Sequence, residues 1–175
     1  MPRPISQKRL QAETIYLGVD PGKGGGLAIL YSFNPTAIRV IPMPPTELEI
    51  WAVFYGIQGL GISVKAMIER VHSMPQQGVA SMFSFGQSYG SLRMALTAIG
   101  ASWEDVPPQT WMKALNIPSG SKDQASQKEK LRKVTQQLYP KLEIWSQPKS
   151  LGRQRAICDA LLIAHYCKLR NEGTV

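Results

Sequence analysis

Three carboxylates in this chain stand where apolar segments end. Asp20 closes a run beginning at Thr14, Glu69 closes Ile62 to Ile68, and Asp159 falls in the first turns of an apolar C-terminal helix. A carboxylate beside Leu17 and Val19, or beside Met67 and Ile68, is costly to desolvate unless it is paired or binds a cation. Acids from distant parts of a chain that converge on one place make a hard oxygen site suited to Mg²⁺ or Mn²⁺. Two such ions about 4 Å apart activate a water and stabilise the leaving oxygen of a phosphodiester. Taken singly, each acid also has a plain structural use. Asp20 before Pro21-Gly22 suits a turn, Glu69 an ion pair with Arg70, and Asp159 a helix dipole.

The elements that must bring these acids together alternate between strand and helix patterns. Thr14 to Asp20, Leu27 to Phe33 and Ala37 to Ile41 read as three strands, the first two joined by the glycine-rich turn Pro21 to Gly26. Thr46 to Tyr55 reads as a helix with Thr46 as cap and Glu49 at the capping-box position. Ile62 to Ile68 is a buried central strand, and a polar loop, His72 to Ala80, leads to a helix from about Ser84 to Ile99. Ser102 to Val106 is a fifth strand, and Pro107 to Leu115 a helix with Trp111 on its buried side. Ser119 to Gln127 reads as a polar loop, Lys128 to Leu138 as a helix stopped by Pro140, and Leu142 to Trp145 as a strand or extended connection. Arg155 to Leu169 is a helix with Ile157, Leu161, Ala164 and Lys168 on one side, its apolar face broadened by Ala160 and Ile163. The fold class expected is α/β: one mixed domain over residues 14–172, with residues 1–13 a loose basic tail.

Net charge narrows the partner. The chain carries +8 at pH 7, and its second half is crowded with Lys113, Lys122, Lys128, Lys130, Arg132, Lys133, Lys141, Lys149, Arg153 and Arg155. Such a surplus suits a phosphate backbone, whose neutralisation releases counterions, although a solvated basic face has the same composition. No apolar run reaches the roughly 18–20 residues that span a bilayer, so no membrane partner is expected. Cys158 and Cys167 lie nine positions apart on one helix, about 13–14 Å along its axis, too far to pair. Neither has zinc-ligand spacing, and a reducing, cytoplasmic setting fits.

These segments, in this order, resemble the RuvC-like Holliday junction resolvases. Leu17-Gly18-Val19-Asp20-Pro21-Gly22, with glycines and Leu27-Ala28 after it, resembles their first-strand motif. Met67-Ile68-Glu69-Arg70-Val71 is similar to their second acidic motif, and Asp159 through Ala164 to their C-terminal helix motif. Met74-Pro75 through Gly78, Phe83-Ser84-Phe85-Gly86, Gly90 and the path from Val106-Pro107 through Trp111 and Lys113 to Leu138-Tyr139-Pro140 are similar to the phage- and chloroplast-type branch. The resemblance runs from Ile15 to Leu169.

It implies a ribonuclease-H-like fold, with a central mixed five-stranded sheet flanked by helices. It also implies a homodimer and metal-dependent nicking of two symmetric strands at a DNA four-way junction, in a bacterial or phage-infected cell or an organelle. Asp20, Glu69 and Asp159 would be the ligands of Mg²⁺ or Mn²⁺, with Asp20 bridging two ions. Lys128 would approach the scissile phosphate, or else be a solvated helix lysine. Arg70, His72, Ser73 and Gln76 would lie at the mouth of the cleft. Those four, with Lys23, Lys113, Lys122, Lys130, Arg153 and Arg155, are the expected DNA contacts. Phe83 and Phe85 either stack on unpaired bases or form a hydrophobic cluster where their helix starts.

The chain departs from the family in one respect. A further acid or a histidine usually stands three to five residues before the final acid, where this chain has Gln154, Arg155 and Ala156. That weakens the expected second metal and keeps two alternatives open: a weakly active or non-catalytic junction binder, and an RNA-processing nuclease on the same fold. An actin-like ATPase is set aside, because 175 residues do not supply its two domains. Lys23 is followed by glycines rather than by the Ser/Thr of a phosphate loop, so no nucleotide cofactor is expected.

Overall fold

The computed structural model describes residues 13–71, 78–118, 123–146 and 151–175, apart from the side chains at 124, 146, 151–153, 155 and 156. The basic tail over residues 1–12 therefore lies outside the described residues. So do the expected DNA contacts His72, Ser73, Gln76 and Lys122, and the side chains of Arg153 and Arg155.

Five strands form one mixed sheet: β1 (Thr14–Asp20), β2 (Gly26–Tyr31), β3 (Ile38–Pro42), β4 (Ser63–Glu69) and β5 (Ser102–Val106), in the order β3-β2-β1-β4-β5. β1 to β3 are an antiparallel meander, whereas β4 and β5 run parallel to β1, each reached through helix. Strand side chains alternate between faces, so the sheet has two cores. Ile15, Leu17 and Val19 of β1 and Val64, Ala66 and Ile68 of β4 face α1 (Glu47–Gln58) and α2 (Val79–Ala98). Tyr16 of β1 and Met67 of β4 face the other way, toward α5 (Leu151–Asn171) and the helices outside it, α3 (Pro108–Ala114) and α4 (Gln124–Leu138). By the same alternation Asp20 and Glu69 belong to the α5 face.

Local signals act as the sequence predicts in several places. Thr46 Oγ1 accepts from Glu49 N at 3.2 Å while Glu49 Oε2 accepts from Thr46 N at 3.1 Å, a reciprocal cap. Trp111 is 1% exposed. Both cysteines are free and buried, and burial pushes each thiol up to about 12, leaving little thiolate. Among the described residues no helix is long and apolar enough to cross a membrane.

Several boundaries differ from expectation. β2 ends at Tyr31 rather than Phe33. α2 begins at Val79, five residues before the predicted start, because its first turns are mostly exposed and have no buried apolar stripe to announce them. Val79 and Phe83 are there exposed, so Phe83 does not form the hydrophobic cluster expected at the start of the helix. α4 begins at Gln124 rather than Lys128. Asp123 accepts from the amides of Ala125 and Ser126 and so starts a first turn without a large apolar residue, which periodicity does not detect. Residues 143–146 form a 3₁₀ turn, not a strand.

α5 starts at Leu151, which places Asp159 in its third turn, out of reach of the helix N-terminus. α5 lies between the sheet and the outer helices, so Ile157, Cys158 and every residue from Ala160 to Ala164 are buried. Burial on both sides is why its apolar face is broad, with Ala160 and Ile163 buried beside Ile157, Leu161 and Ala164.

Candidate active site

Asp20 and Glu69 end neighbouring parallel strands in register, Val19 being paired with Ile68 one residue earlier. Both carboxylates therefore leave the same end of the sheet on the same face. α5 crosses that face against β1 with almost no clearance. A Cβ added at Gly18 would stand 2.1 Å from Ala160 O and 2.4 Å from Ala164 N. The missing side chain two residues before Asp20 thus lets the helix backbone touch the strand, and Ala160 is the neighbour of Asp159. Gly25 has a similar task in the turn. A Cβ there would meet Asp20 O at 2.1 Å and Asp20 Cγ at 2.9 Å, so only glycine lets the chain fold back over the acid.

The three acids sense one another. Burial, then Asp159 and Glu69, push the Asp20 carboxyl well above the usual range, with Lys128 opposing them. Glu69 is pushed up to about 7 by burial and by Asp159, against the Trp111 hydrogen bond and Lys128. Burial also raises Asp159, again opposed by Lys128. Among the described residues Lys128 is the one cation that bears on all three. Its Nζ lies 4.0 Å from Asp159 Oδ2, and its side chain is 44% exposed. It reaches inward because it continues, at helical spacing, the stripe of Leu131 and Thr135 that α4 buries. Trp111 Nε1 donates to Glu69 Oε1 at 3.1 Å and fixes one oxygen of that carboxylate.

One half-exposed ammonium does not neutralise three clustered carboxyls. Buried hard oxygen donors with surplus negative charge fit a divalent cation in donor type and in charge. Among the described residues no group of three His, Cys, Asp or Glu side chains is already arranged to hold a metal ion.

The structure brings Asp20, Glu69, Asp159 and Lys128 together. Lys23 is exposed in the turn after Asp20, and Arg70 is exposed one residue past Glu69, its amide bonded to Val106 O at 2.8 Å. Lys113 and Lys130 are exposed on α3 and α4. At the position of the absent acid, Gln154 is buried and its Nε2 donates to Ile144 O at 2.9 Å, tying α5 to the 3₁₀ turn. Sequence reasoning missed the parts played by Trp111, Gly18 and Gly25. A buried tryptophan signals only core, and no sequence pattern shows which glycine a helix will press against.

No protein-family model matches the sequence, and no curated protein matches it. Solved structures do match. Thermus thermophilus RuvC is similar over 93% of this chain and 97% of its own, with a TM-score of 0.57 and 17% identity. T. thermophilus RuvC in complex with Holliday junction substrate is similar over the same shares, with a TM-score of 0.58 and 17% identity. The mixed five-stranded sheet with helices on both faces is the ribonuclease-H-like fold of RuvC.

Proposed function

We propose that the protein is a structure-specific DNA endonuclease that resolves four-way junctions by metal-dependent, symmetric phosphodiester hydrolysis, acting as a homodimer. The observation that carries this reading is the convergence of Asp20, Glu69 and Asp159, with Lys128 as the cation common to all three, on a RuvC fold. The net charge of +8 and a structural neighbour solved with Holliday junction substrate support DNA as the partner. The motifs around Phe83 to Gly90 and Trp111 support the phage- and chloroplast-type branch.

In this reading Asp20, Glu69 and Asp159 hold Mg²⁺ or Mn²⁺. Once bound, the metal supplies activation of water and stabilisation of the leaving oxygen. The chain's own residues do the positioning. Trp111 holds Glu69 by one oxygen and leaves the other free. α5 presents Asp159 between the buried residues Cys158 and Ala160. Lys128, able to move from Asp159 to a substrate phosphate, steadies charge that grows on the phosphoryl oxygens in the transition state. Lys23, Arg70, Lys113 and Lys130, together with His72, Ser73, Gln76, Lys122, Arg153 and Arg155, bear on the DNA backbone.

A second reading, a junction binder that cuts weakly or not at all, is favoured by one observation: Gln154 is tied to Ile144 where a further ligand would stand.

The deciding measurement uses an end-labelled synthetic junction and the matching linear duplex, in Mg²⁺ and separately in Mn²⁺, with products mapped on a denaturing gel. Paired symmetric nicks in the junction alone are expected. Tight junction binding without a cut in either metal overturns the enzyme, and no preference for the junction redirects the search to RNA. Lys128→Gln is expected to slow nicking by about 10²-fold with junction affinity changed only a few-fold, since a single exposed phosphate contact is weak. Single-turnover rates beside binding isotherms separate the two effects.

A further inference from the structure

Lys128 begins the inward stripe of α4, and Tyr139 ends it. The stripe runs through Lys128, Leu131, Thr135 and Tyr139 at spacings of three and four residues, so its ends stand about 16 Å apart along the helix axis. At the first end Lys128 Nζ lies 4.0 Å from Asp159 Oδ2. At the other the Tyr139 hydroxyl meets His165 Nδ1 at 2.6 Å, with the two rings edge to face. α4 therefore meets α5 through a polar pair at each end of the stripe. Between them Leu131 joins the core cluster of Leu161 and Leu162. Apolar contact of this kind sets the separation of two helices but has no direction, and leaves their register to be decided at the ends.

Tyr139 is itself held through its backbone as well as its hydroxyl. Its N–H donates to Thr135 O at 2.9 Å and closes α4, and its carbonyl accepts from Trp145 Nε1 at 2.7 Å. Burial raises the phenol, and burial with Lys168 lowers the imidazole, so both partners of the hydroxyl pair are neutral. The phenol thus donates and Nδ1 accepts. Trp145 belongs to the 3₁₀ turn over residues 143–146, and Gln154 Nε2 donates to Ile144 O of that same turn at 2.9 Å. These hydrogen bonds close a brace that leaves α5 at Gln154 and returns to it at His165, with Asp159 between. The residue that stands where a further metal ligand would be is a member of this brace.

We propose that Tyr139 is a positioning residue for nicking: through His165 and the 3₁₀ turn it sets the register of α4 on α5, and so the place of Lys128 beside Asp159. The Lys128 side chain is half-exposed, and an exposed ion pair holds its partners weakly. The backbone of α4 must therefore supply the precision, and Tyr139 anchors that backbone. The proposal rests on the junction-nuclease reading and deepens it, by giving Lys128 a support remote from the carboxylates. A displacement of about 1 Å caused far from the reacting atoms can cost about 10²-fold in rate, so the loss of one hydroxyl is measurable.

The test compares single-turnover nicking of the synthetic junction, junction affinity, and distances between spin labels in the metal-free protein. Tyr139→Phe keeps the ring and removes the hydroxyl. It is expected to nick about tenfold or more slowly, with junction affinity within about a few-fold of the wild type. Built on Lys128→Gln it should lose less than about twofold further, because the effect passes through Lys128. His165→Leu should repeat both results, whereas His165→Asn, whose Oδ1 can accept where Nδ1 does, should nick near the wild-type rate. Labels at Lys133→Cys on α4 and Gly56→Cys on α1, both exposed positions, report where α4 lies in chelator without DNA. The native cysteines are buried and react slowly. One narrow distance is expected with no further change and in His165→Asn, and a shifted or broader one in Tyr139→Phe and His165→Leu. Variants Tyr139→Phe and His165→Leu that nick at the wild-type rate, or that slow Lys128→Gln as much as they slow the wild type, overturn the positioning role and leave the nuclease standing. An unchanged label distance in both does the same. Wild-type protein that does not nick the junction overturns the nuclease reading instead, and the part of Tyr139 in nicking with it.

Discussion

Asp20→Asn is expected to abolish nicking, by at least about 10²–10³-fold, to preserve junction binding, and at the same time to make the metal-free protein more stable. The two halves have one cause. Asp20 is 8% exposed and shares its surroundings with Asp159 and Glu69, so in the absence of a cation its charge costs folding free energy. Removing it should return about 0.5–2 kcal/mol, the usual size of a single stabilising substitution. That corresponds to a rise of roughly 1–8 °C in melting temperature for a chain of this size.

The pH dependence follows from the same shifts. The raised carboxyls hold protons in the folded chain at pH values where the unfolded chain has released them, so stability falls as pH rises. For Glu69 the loss runs from its ordinary value of 4.5 up to about 7. Melting curves in a chelator should therefore decline across that window in the wild type and less so in Asp20→Asn. Added Mg²⁺ or Mn²⁺ should restore the wild type and have little effect on the variant. A variant that still nicks, or that melts lower without metal, removes Asp20 from the centre of the charge cluster.

Gly18→Ala carries the second large effect, although it adds a single methyl group far from solvent. That methyl would stand 2.1 Å from Ala160 O and 2.4 Å from Ala164 N, which are backbone atoms of a helix buried on both sides. Overpacking a core costs about 1–3 kcal/mol when side chains can yield. Here backbone must move, so the upper end, about 3 kcal/mol or more, is expected, a fall of roughly 6–12 °C. α5 has to lift from β1, and Asp159 lifts with it, so nicking should fail even at temperatures where the variant remains folded. Gly56→Ala on α1 is the contrasting substitution. Nothing lies within 4 Å of its added Cβ, and in a helix interior it should gain about 0.5–1 kcal/mol. Equal melting temperatures for Gly18→Ala and the wild type would show that helix and strand are not in backbone contact.

Much of this architecture is legible in the sequence alone. The strands announce themselves by alternation and by glycine- and proline-rich turns, and the Thr46–Glu49 cap is a purely local signal. The boundaries that shifted lie where burial gives no local pattern. α2 begins among exposed residues, α4 begins in a polar turn held by Asp123, and α5 begins at Leu151, four residues ahead of the expected start and before its apolar stretch.

The acids divide in the same way. That Asp20 and Glu69 end apolar strands is a property of the chain alone, as are its positive charge, the two unpaired cysteines and the absence of an acid at 154–156. That both carboxylates leave one face of the sheet depends on the parallel register of β1 and β4, a pairing between segments about fifty residues apart. That Asp159 meets them depends on a helix pressed against Gly18, and that Lys128 faces inward depends on how α4 lies on α5. Periodicity and capping act over a few residues and can be read along the sequence. Register, close approach and shared burial are contacts between distant segments, and only the folded chain decides them.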